Sequence, residues 1–301
     1  MTGLTSLSLQ LGIFATSSVL SQMTCRLTKL VCVLASDVTY PISKFLSIQP
    51  AIEELHIVCP SDGLTDLGPE TLPALRNLAA PLRLLPKLLN HRISRISRLS
   101  VLGTMADIDE LLQLGVALES DNPPQSMQLI VGVDITAFLM TTEILAHGLG
   151  QLGLRAPFVD LLRLEIHRGH IRSDTLQATF THALPRFPNL KTLVVMSLSP
   201  DASAYIRKFP QVLPAQAPPS PLPTPSTPTD EFSALSPRHL SSQLEYDEER
   251  NWLNPVPDAL HDESCHIKIL AAWHQANPRL ERVVFPVGAY THVNKKKQRR
   301  E

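Results

Sequence analysis

The sequence predicts an α/β fold made of stacked repeats, with short parallel strands on one face and helices on the other. Two observations predict this fold class. An apolar pattern, occupied at its first, fourth and sixth positions, recurs along most of the 301 residues, and segments with helical spacing of apolar residues lie between its copies. A single strand and helix cannot bury their own apolar sides, so the recurrence predicts neighbouring units that share one core.

The copy that organises the others begins at Leu190, directly after a predicted helix that stops at Pro185. The remaining copies begin at Leu4, Leu27, Ile52, Leu75, Ile96, Ser126, Leu161 and Leu280. The first five of these starts lie 21 to 25 residues apart, inside the roughly 20 to 29 residues of a leucine-rich repeat. The spacing therefore predicts an irregular leucine-rich-repeat solenoid, with short parallel strands on the concave face and helices on the convex face.

Helices are predicted between these strands. Their ranges are 16–25, 42–48, 84–92, 108–118, 138–152, 174–184 and 266–275, and a short helical approach is expected at 71–75. Several prolines lie at segment edges, where a missing amide donor does least harm. The copy at Leu75 is the weakest one, and its segment fits a strand or a helix.

A change in composition marks an insertion before the last copy, which begins 90 residues after Leu190. Nine of the 26 prolines fall between Pro210 and Pro237, so this segment is expected to be extended and disordered. The predicted parts are a solenoid at 1–209, a Pro/Ser/Thr-rich disordered insertion at 210–245, a carboxy-terminal repeat and cap at 246–290, and a basic tail at 291–301. The tail reads either as a nuclear import signal or as a solvating terminus.

Composition bounds the partners and the compartment. A net charge of -1 predicts no global attraction to nucleic acid or to a membrane surface. The four cysteines lack the paired spacing of a disulfide framework or a zinc site. Free and mostly buried thiols are therefore expected, in an intracellular compartment that is cytoplasmic or nuclear. The longest apolar run, at 129–140, is interrupted by Asp134 and is too short to span a bilayer.

Two histidine clusters contain residue types that bind metal ions. His167 and His170 have ligand spacing for a helix, but a strand would turn them apart. The cluster of His261, Cys265 and His266 has ligand-like residue types, yet a capped helix start around Asp262 or Ser264 explains it better. No metal site is predicted at either place.

Enzymatic patterns are also absent from the sequence. Gly148-x-Gly150-x-x-Gly153 has the spacing of a dinucleotide loop, but it follows no suitable strand, so a helix-ending turn is favoured. No serine stands in a glycine-flanked turn between strand and helix, and no cysteine has an obvious base. The chain is therefore not expected to be an enzyme or to need a cofactor.

Strand geometry places the candidate binding residues. Because side chains alternate along a strand, the third, fifth and seventh positions of each copy point to the concave face. The partner-binding residues predicted there are Glu54, His56, Arg98, Arg163, Glu165, His167, Thr192 and Arg282. Mixed charge around a few apolar residues is typical of a surface that binds protein, and a merely solvated face is the alternative for any one of them.

Three segments resemble fungal leucine-rich-repeat proteins of the F-box type. They are Q-P-A-I-E-E-L-H-I at 49–57, L-P-R-F-P-N-L-K-T-L-V-V at 184–195, and A-A-W-H-Q-A-N-P-R-L-E-R-V-V-F-P at 271–286. The resemblance implies a receptor that holds a target on its repeats while an amino-terminal F-box docks a ubiquitin-ligase adaptor. Because the copies begin at Leu4, the F-box itself is expected to be missing from this chain.

Three functional hypotheses follow. The primary one is a non-catalytic repeat scaffold that binds a protein partner on its concave strand face. The second is the substrate receptor of a cullin-type ubiquitin ligase, which would recruit ligase machinery through a segment outside this chain or through a partner. The third is an enzyme of unrecognised type, which would require a deep pocket with converging titratable groups.

Overall fold

Nine parallel strands follow one another in chain order across a single open sheet, and a tenth strand adds antiparallel at its end. The structure, a computed structural model, describes residues 3–11, 20, 25–34, 42–59, 64, 67–137, 140–197 and 258–291. The strands are β1 Ser6–Leu11, β2 Lys29–Leu34, β3 Glu54–Val58, β4 Asn77–Pro81, β5 Arg98–Met105, β6 Met127–Asp134, β7 Val159–Arg168, β8 Thr192–Ser197, β9 Arg282–Phe285 and β10 Gly288–Thr291. The α/β fold class and the parallel strands are confirmed.

Helices occupy the connections between strands. Those of the described residues are α1 Ile42–Ser47, α2 Leu85–Leu89, α3 Ile108–Leu118, α4 Thr142–Arg155, α5 Ser173–Ala183 and α6 Glu263–Ala276. Three of the longer ones, α3, α4 and α6, begin at side-chain caps: Asp107 accepts a hydrogen bond from the Glu110 amide at 2.9 Å at the start of α3. Neighbouring helices pack side by side, α3 on α4, α4 on α5 and α5 on α6, and so form a layer against the sheet.

One row of buried side chains runs laterally through the sheet. The residues at the fourth position of each copy pair from strand to strand, and each is 4% exposed or less. They are Leu30, Leu55, Leu78, Leu99, Leu129, Leu162, Leu193 and Val283. Side chains of the opposite parity stay partly exposed, so one face of the sheet packs on the helices and the other is open.

The frame of two copies differs from the prediction. In β7, Leu162 and not Leu164 pairs with Leu193, so this copy starts two residues earlier, at the buried Val159. In β6, Ser126 is exposed and Met127 is buried in its place, because Met127 points to the same side of the strand as Leu129 and pairs with the buried Val159. A slip of two residues preserves the alternation of side chains, and the predicted faces of β7 therefore still hold.

The copy at Leu75 forms a strand, and the helix expected at 71–75 is wrong. Residues 69–74 are bends and turns, held by the buried side chain of Arg92. Its guanidinium donates to backbone oxygens that include that of Thr71, at 2.7 Å, and that of Gly68. Strand β10 was not predicted, because it is short and follows β9 through a two-residue turn.

Buried polar side chains tie neighbouring units together where a helix gives way to the next strand. Gln49 accepts from the Leu27 amide at 3.0 Å and donates to the Cys25 oxygen at 2.9 Å. Asn277 does the same work at the last junction, donating to the oxygens of Leu184 and Phe187 at 3.3 and 2.9 Å. Gln49 thus pairs backbone groups that lie outside the strands and helices, whereas the oxygens of Leu184 and Phe187 also accept from the amides of Phe187 and Leu190.

The chain after the predicted insertion adds directly beside the strand that precedes it. Thr192 and Val194 of β8 pair with Arg282 and Val284 of β9. The indole of Trp273 in α6 donates to the Gln177 oxygen of α5 at 3.2 Å. The last unit therefore continues the sheet and the helix layer.

Several predictions fall outside the described residues. These are the insertion at 210–245, residues 246–257 of the carboxy-terminal cap, most of the helix at 16–25, and all but the first residue of the basic tail at 291–301. Among the residues that are described, no helix combines the length and apolar character needed to cross a membrane.

Candidate functional site on the exposed face of the sheet

The open side of the sheet, called the exposed face below, carries all eight residues predicted to bind a partner. Each lies next to a buried residue of the same strand and points to the opposite side. Arg98 and Arg282 are exposed, and the other six are half-buried. The face extends over neighbouring strands, so the eight side chains are spread along it and do not converge on one pocket.

Two rows of side chains cross the exposed face, each at its own position along the strands. The polar row lies near the start of the strands and, in register from β2 to β9, consists of Lys29, Glu54, Asn77, Arg98, Gln128, Leu161, Thr192 and Arg282. The apolar row lies two residues further along and consists of Val31, His56, Ala79, Ser100, Ile130, Arg163, Val194 and Val284. Val33, Val58, Pro81 and Leu102 extend the apolar row toward the strand ends.

Lys29, Glu54 and Asn77 form a ladder at one end of the polar row. Lys29 Nζ lies 2.8 Å from Glu54 Oε2, and Asn77 Nδ2 donates to Glu54 Oε1 at 3.4 Å. The hydrogen bond from Lys29 lowers the pKa of Glu54, and the amide of Asn77 and the charge of Arg98 act in the same direction. Glu54 is thus a carboxylate whose charge is already compensated within the face.

His56 stands beside this ladder in a shallow depression of about 310 Å³. Its lateral neighbours in the apolar row are Val31 and Ala79. Burial lowers the pKa of His56 below its ordinary value of 6.5, because the charged ring would lose hydration there. His56 is therefore a neutral, half-buried side chain that a ligand could cover at little cost in desolvation.

A second charged group lies on β7. Arg163 Nη2 is 2.8 Å from Glu165 Oε1, and His167 follows two residues later on the same side of the strand. Burial lowers the pKa of His167, against the opposing effect of the Glu165 and Asp134 charges. The ring of His167 lies against Gly132 of the neighbouring strand β6, where the lack of a side chain leaves space for it.

Strand β5 bends beside this group. Its register against β6 shifts between Ser100 and Thr104, and Gly103 has a φ of +100°, a conformation that residues with a side chain rarely adopt. A β-bulge of this kind increases the local twist and redirects side chains. It separates the Lys29–Glu54 ladder from the Arg163–Glu165 pair.

The histidine clusters considered in the sequence hold no metal-like arrangement. His170 Nδ1 lies 4.0 Å from Asp258, away from the ring of His167 over Gly132. His266 is fully buried, with Nε2 at 2.8 Å from the Ala259 oxygen and Nδ1 at 2.9 Å from the Tyr290 hydroxyl. Within the described residues, no three side chains of His, Cys, Asp or Glu are placed to bind a metal ion.

The expected helix cap at this cluster is confirmed. Asp262 Oδ1 accepts hydrogen bonds from the amide and the hydroxyl of Ser264 at 3.0 and 2.6 Å, at the first turn of α6. These bonds lower the pKa of Asp262. The cysteines are also free, and all but Cys265 are buried. Burial raises the pKa of Cys32 to about 12 and that of Cys59 to about 11.

The three glycines with dinucleotide-loop spacing lie inside α4, so the helix-ending turn predicted for them is wrong. A β-carbon at Gly148 would stand 2.8 Å from a methyl carbon of Leu111 in α3. One at Gly153 would stand 2.7 Å from the ring of Phe187. The motif therefore serves close packing of a helix against its neighbours.

One polar pair was missed by sequence reasoning. Ser197 Oγ lies 2.8 Å from His261 Nε2, although 64 residues separate the two in the chain. Such a pair resembles an activated nucleophile, which also needs a group that orients the base. No carboxylate of the described residues forms an ion pair with His261, so the contact links the end of β8 to the segment that starts α6.

Comparisons with known proteins do not extend this picture. No protein-family model matches the chain, and a search of curated proteins finds no match either.

Proposed function

We propose that the chain is a non-catalytic protein-binding scaffold, a leucine-rich-repeat solenoid that holds a protein partner on its exposed strand face. That face would be the concave side of the solenoid and the helix layer its convex side. Nine parallel strands in chain order, eight of them with a buried residue at the same position, support the solenoid, because such stacking lets each unit bury the apolar side of the next.

The observation that supports the binding function is that the polar row and the apolar row lie side by side on the exposed face. An apolar row runs beside a polar row across the sheet, and side chains of both remain accessible. Protein interfaces combine an apolar centre that loses its water with polar groups that fix orientation. A face that served only for solvation would have no need of valine and isoleucine at its accessible positions.

The ligase hypothesis has less support from the same residues. The segments that resemble F-box proteins supply Asn277, Pro188, Leu193 and similar residues of the junctions and core. Such positions specify how units stack and say little about what the units bind. We therefore base the proposal on the exposed face and not on the resemblance.

The test compares partner capture by paired variants. Replacing Arg163 and Glu165 together by alanine removes an ion pair without leaving a lone charge on the face. Partners captured from cell extract and identified by mass spectrometry should be reduced several-fold in this variant. The matched control replaces Arg172 and Asp174, an exposed pair 3.7 Å apart on the helix side, and should retain them. Equal capture by both variants would contradict the proposal.

A further inference from the structure

Two cations of the exposed face, Arg98 and Arg282, lie within ion-pair distance of no carboxylate among the described residues. Glu54 and Glu165 are matched by Lys29 and Arg163 at 2.8 Å, and Asp134 lies 3.9 Å from Arg168. Arg98 and Arg282 are exposed, and neither forms an ion pair with any residue in the described part of the chain. The face therefore carries an excess of positive charge, although the whole chain has a net charge of -1.

The side chains between these two arginines are uncharged in the polar row. Arg98 is on β5 and Arg282 on β9, with Gln128, Leu161 and Thr192 between them in register. Four strand spacings of about 4.8 Å place the two strands about 19 Å apart. An acidic partner that used both arginines would have to carry its acidic groups at this separation, with apolar groups between them to cover Leu161 and the adjacent Val194.

The backbone of the sheet decides the conformation of such a partner. Strands β6 to β8 are paired on both sides, so their amides and carbonyls are already hydrogen bonded. An extended peptide crossing them would leave its own backbone groups without protein partners. A helix satisfies its backbone internally, and it can lose water on one side without that cost.

We propose that the exposed face binds an acidic amphipathic α-helix of a protein partner, which lies across β5 to β9 with acidic residues at Arg98 and Arg282. This inference rests on the proposed function and specifies its ligand. At a rise of 1.5 Å per residue, about 13 residues cover the distance. Because both acidic positions must also lie on the same face of the helix, they should be about 14 residues apart, close to four turns, and apolar residues at intervals of three or four should fill the helix face between them.

The experiment selects peptides without assuming their sequence. A displayed library of random 18-residue peptides is selected on the full chain and then tested on the Arg98→Glu/Arg282→Glu variant. The matched control is Lys44→Glu/Lys268→Glu, which makes the same charge change at exposed positions of α1 and α6. Circular dichroism and melting curves of all three proteins verify that the variants fold.

Enriched peptides should be acidic, gain helix on binding, and bind the arginine variant at least about tenfold more weakly than the wild type and the lysine control. Binding should also weaken with salt. Basic peptides, proline-containing extended peptides, or acidic ones indifferent to the arginine variant would overturn this inference. If those peptides still lose affinity for the Arg163→Ala/Glu165→Ala variant, the proposed function stands. If no enriched peptide responds to either face variant, both proposals fail.

Discussion

The imidazole of His167 lies directly over the backbone of Gly132 on the neighbouring strand. A β-carbon added at Gly132 would stand 2.5 Å from His167 Nε2 and 3.1 Å from the Gly103 oxygen. The glycine thus makes room for a side chain that comes from another unit. The half-buried state of His167, which lowers its pKa, depends on this space.

Replacing Gly132 by alanine should push the His167 ring toward solvent. Because the ring tip can move but the Gly103 backbone cannot do so easily, we expect a loss of about 1 kcal/mol in the free energy of unfolding. The pKa of His167 should rise toward its ordinary value as burial decreases, and a proton NMR titration measures it. In a His167→Ala background, Gly132→Ala should cost less stability, because the ring that the new β-carbon would meet is absent. An unchanged His167 pKa in the single variant would contradict this account.

The glycines of α4 allow a matched comparison. At Gly153, a β-carbon would meet the Arg186 backbone oxygen at 2.8 Å as well as the Phe187 ring, so Gly153→Ala should destabilise the fold by about 2 kcal/mol or more. At Gly150 the nearest atom is a side-chain carbon of Arg186 at 3.8 Å. Gly150→Ala should therefore stabilise the protein by up to about 1 kcal/mol through helix propensity. Urea denaturation distinguishes them, and equal effects would refute the packing role.

Asn277 should matter far more for stability than its exposed neighbour Asn189. Asn277→Ala removes two buried hydrogen bonds, to the oxygens of Leu184 and Phe187, at a cost of about 2 kcal/mol. Asn189→Ala removes two exposed bonds, one to the Pro157 oxygen and one from Arg279, and should cost about 0.5 kcal/mol or less. Chemical denaturation of both variants measures the difference. Similar losses would show that the buried bonds of Asn277 are not what holds the last unit.

His56 predicts a loss of stability on mild acidification. Burial lowers the pKa of His56 in the fold, whereas the unfolded chain takes up its proton near the ordinary 6.5. The contribution of the neutral ring is therefore complete above pH 6.5. It decreases as the pH falls from 6.5 to the lower pKa of the fold, and then stays constant. His56→Gln should reduce the loss between pH 7.5 and 5.5 in denaturation experiments, and an unaltered pH dependence would exclude this role.

The strand positions could be predicted because the pattern that marks them is local. Leu193, Val195 and their equivalents point to the buried side, and the residues between them point to the accessible side, whatever lies beside the strand. The frame of β7 could not be predicted, because two frames satisfy the same spacing. One begins at Val159 and continues with Leu162 and Leu164, and the other begins at Leu161 and continues with Leu164 and Ile166. Pairing of Leu162 with Leu193 decided between these frames.

The candidate site shows the same division. The side of the sheet on which Arg98, Arg163 and Arg282 lie followed from alternation alone. Alternation did not show which of these arginines form an ion pair. An ion pair requires a carboxylate in register on a neighbouring strand or two residues along the same strand. The contact of Ser197 with His261 joins residues 64 apart, and no local pattern marks either of them.

By itself, the sequence determined that short strands and helices alternate, and which side of each strand is buried. These properties depend on residues a few positions apart. The tertiary structure alone decided how the strands align and that His167 covers Gly132. It also decided that Gly148 and Gly153 of α4 serve close packing and that Arg98 and Arg282 form no ion pair with any described residue. Each of these features depends on contacts between residues of different units. Such residues are far apart in the sequence, and no local pattern shows which of them will meet.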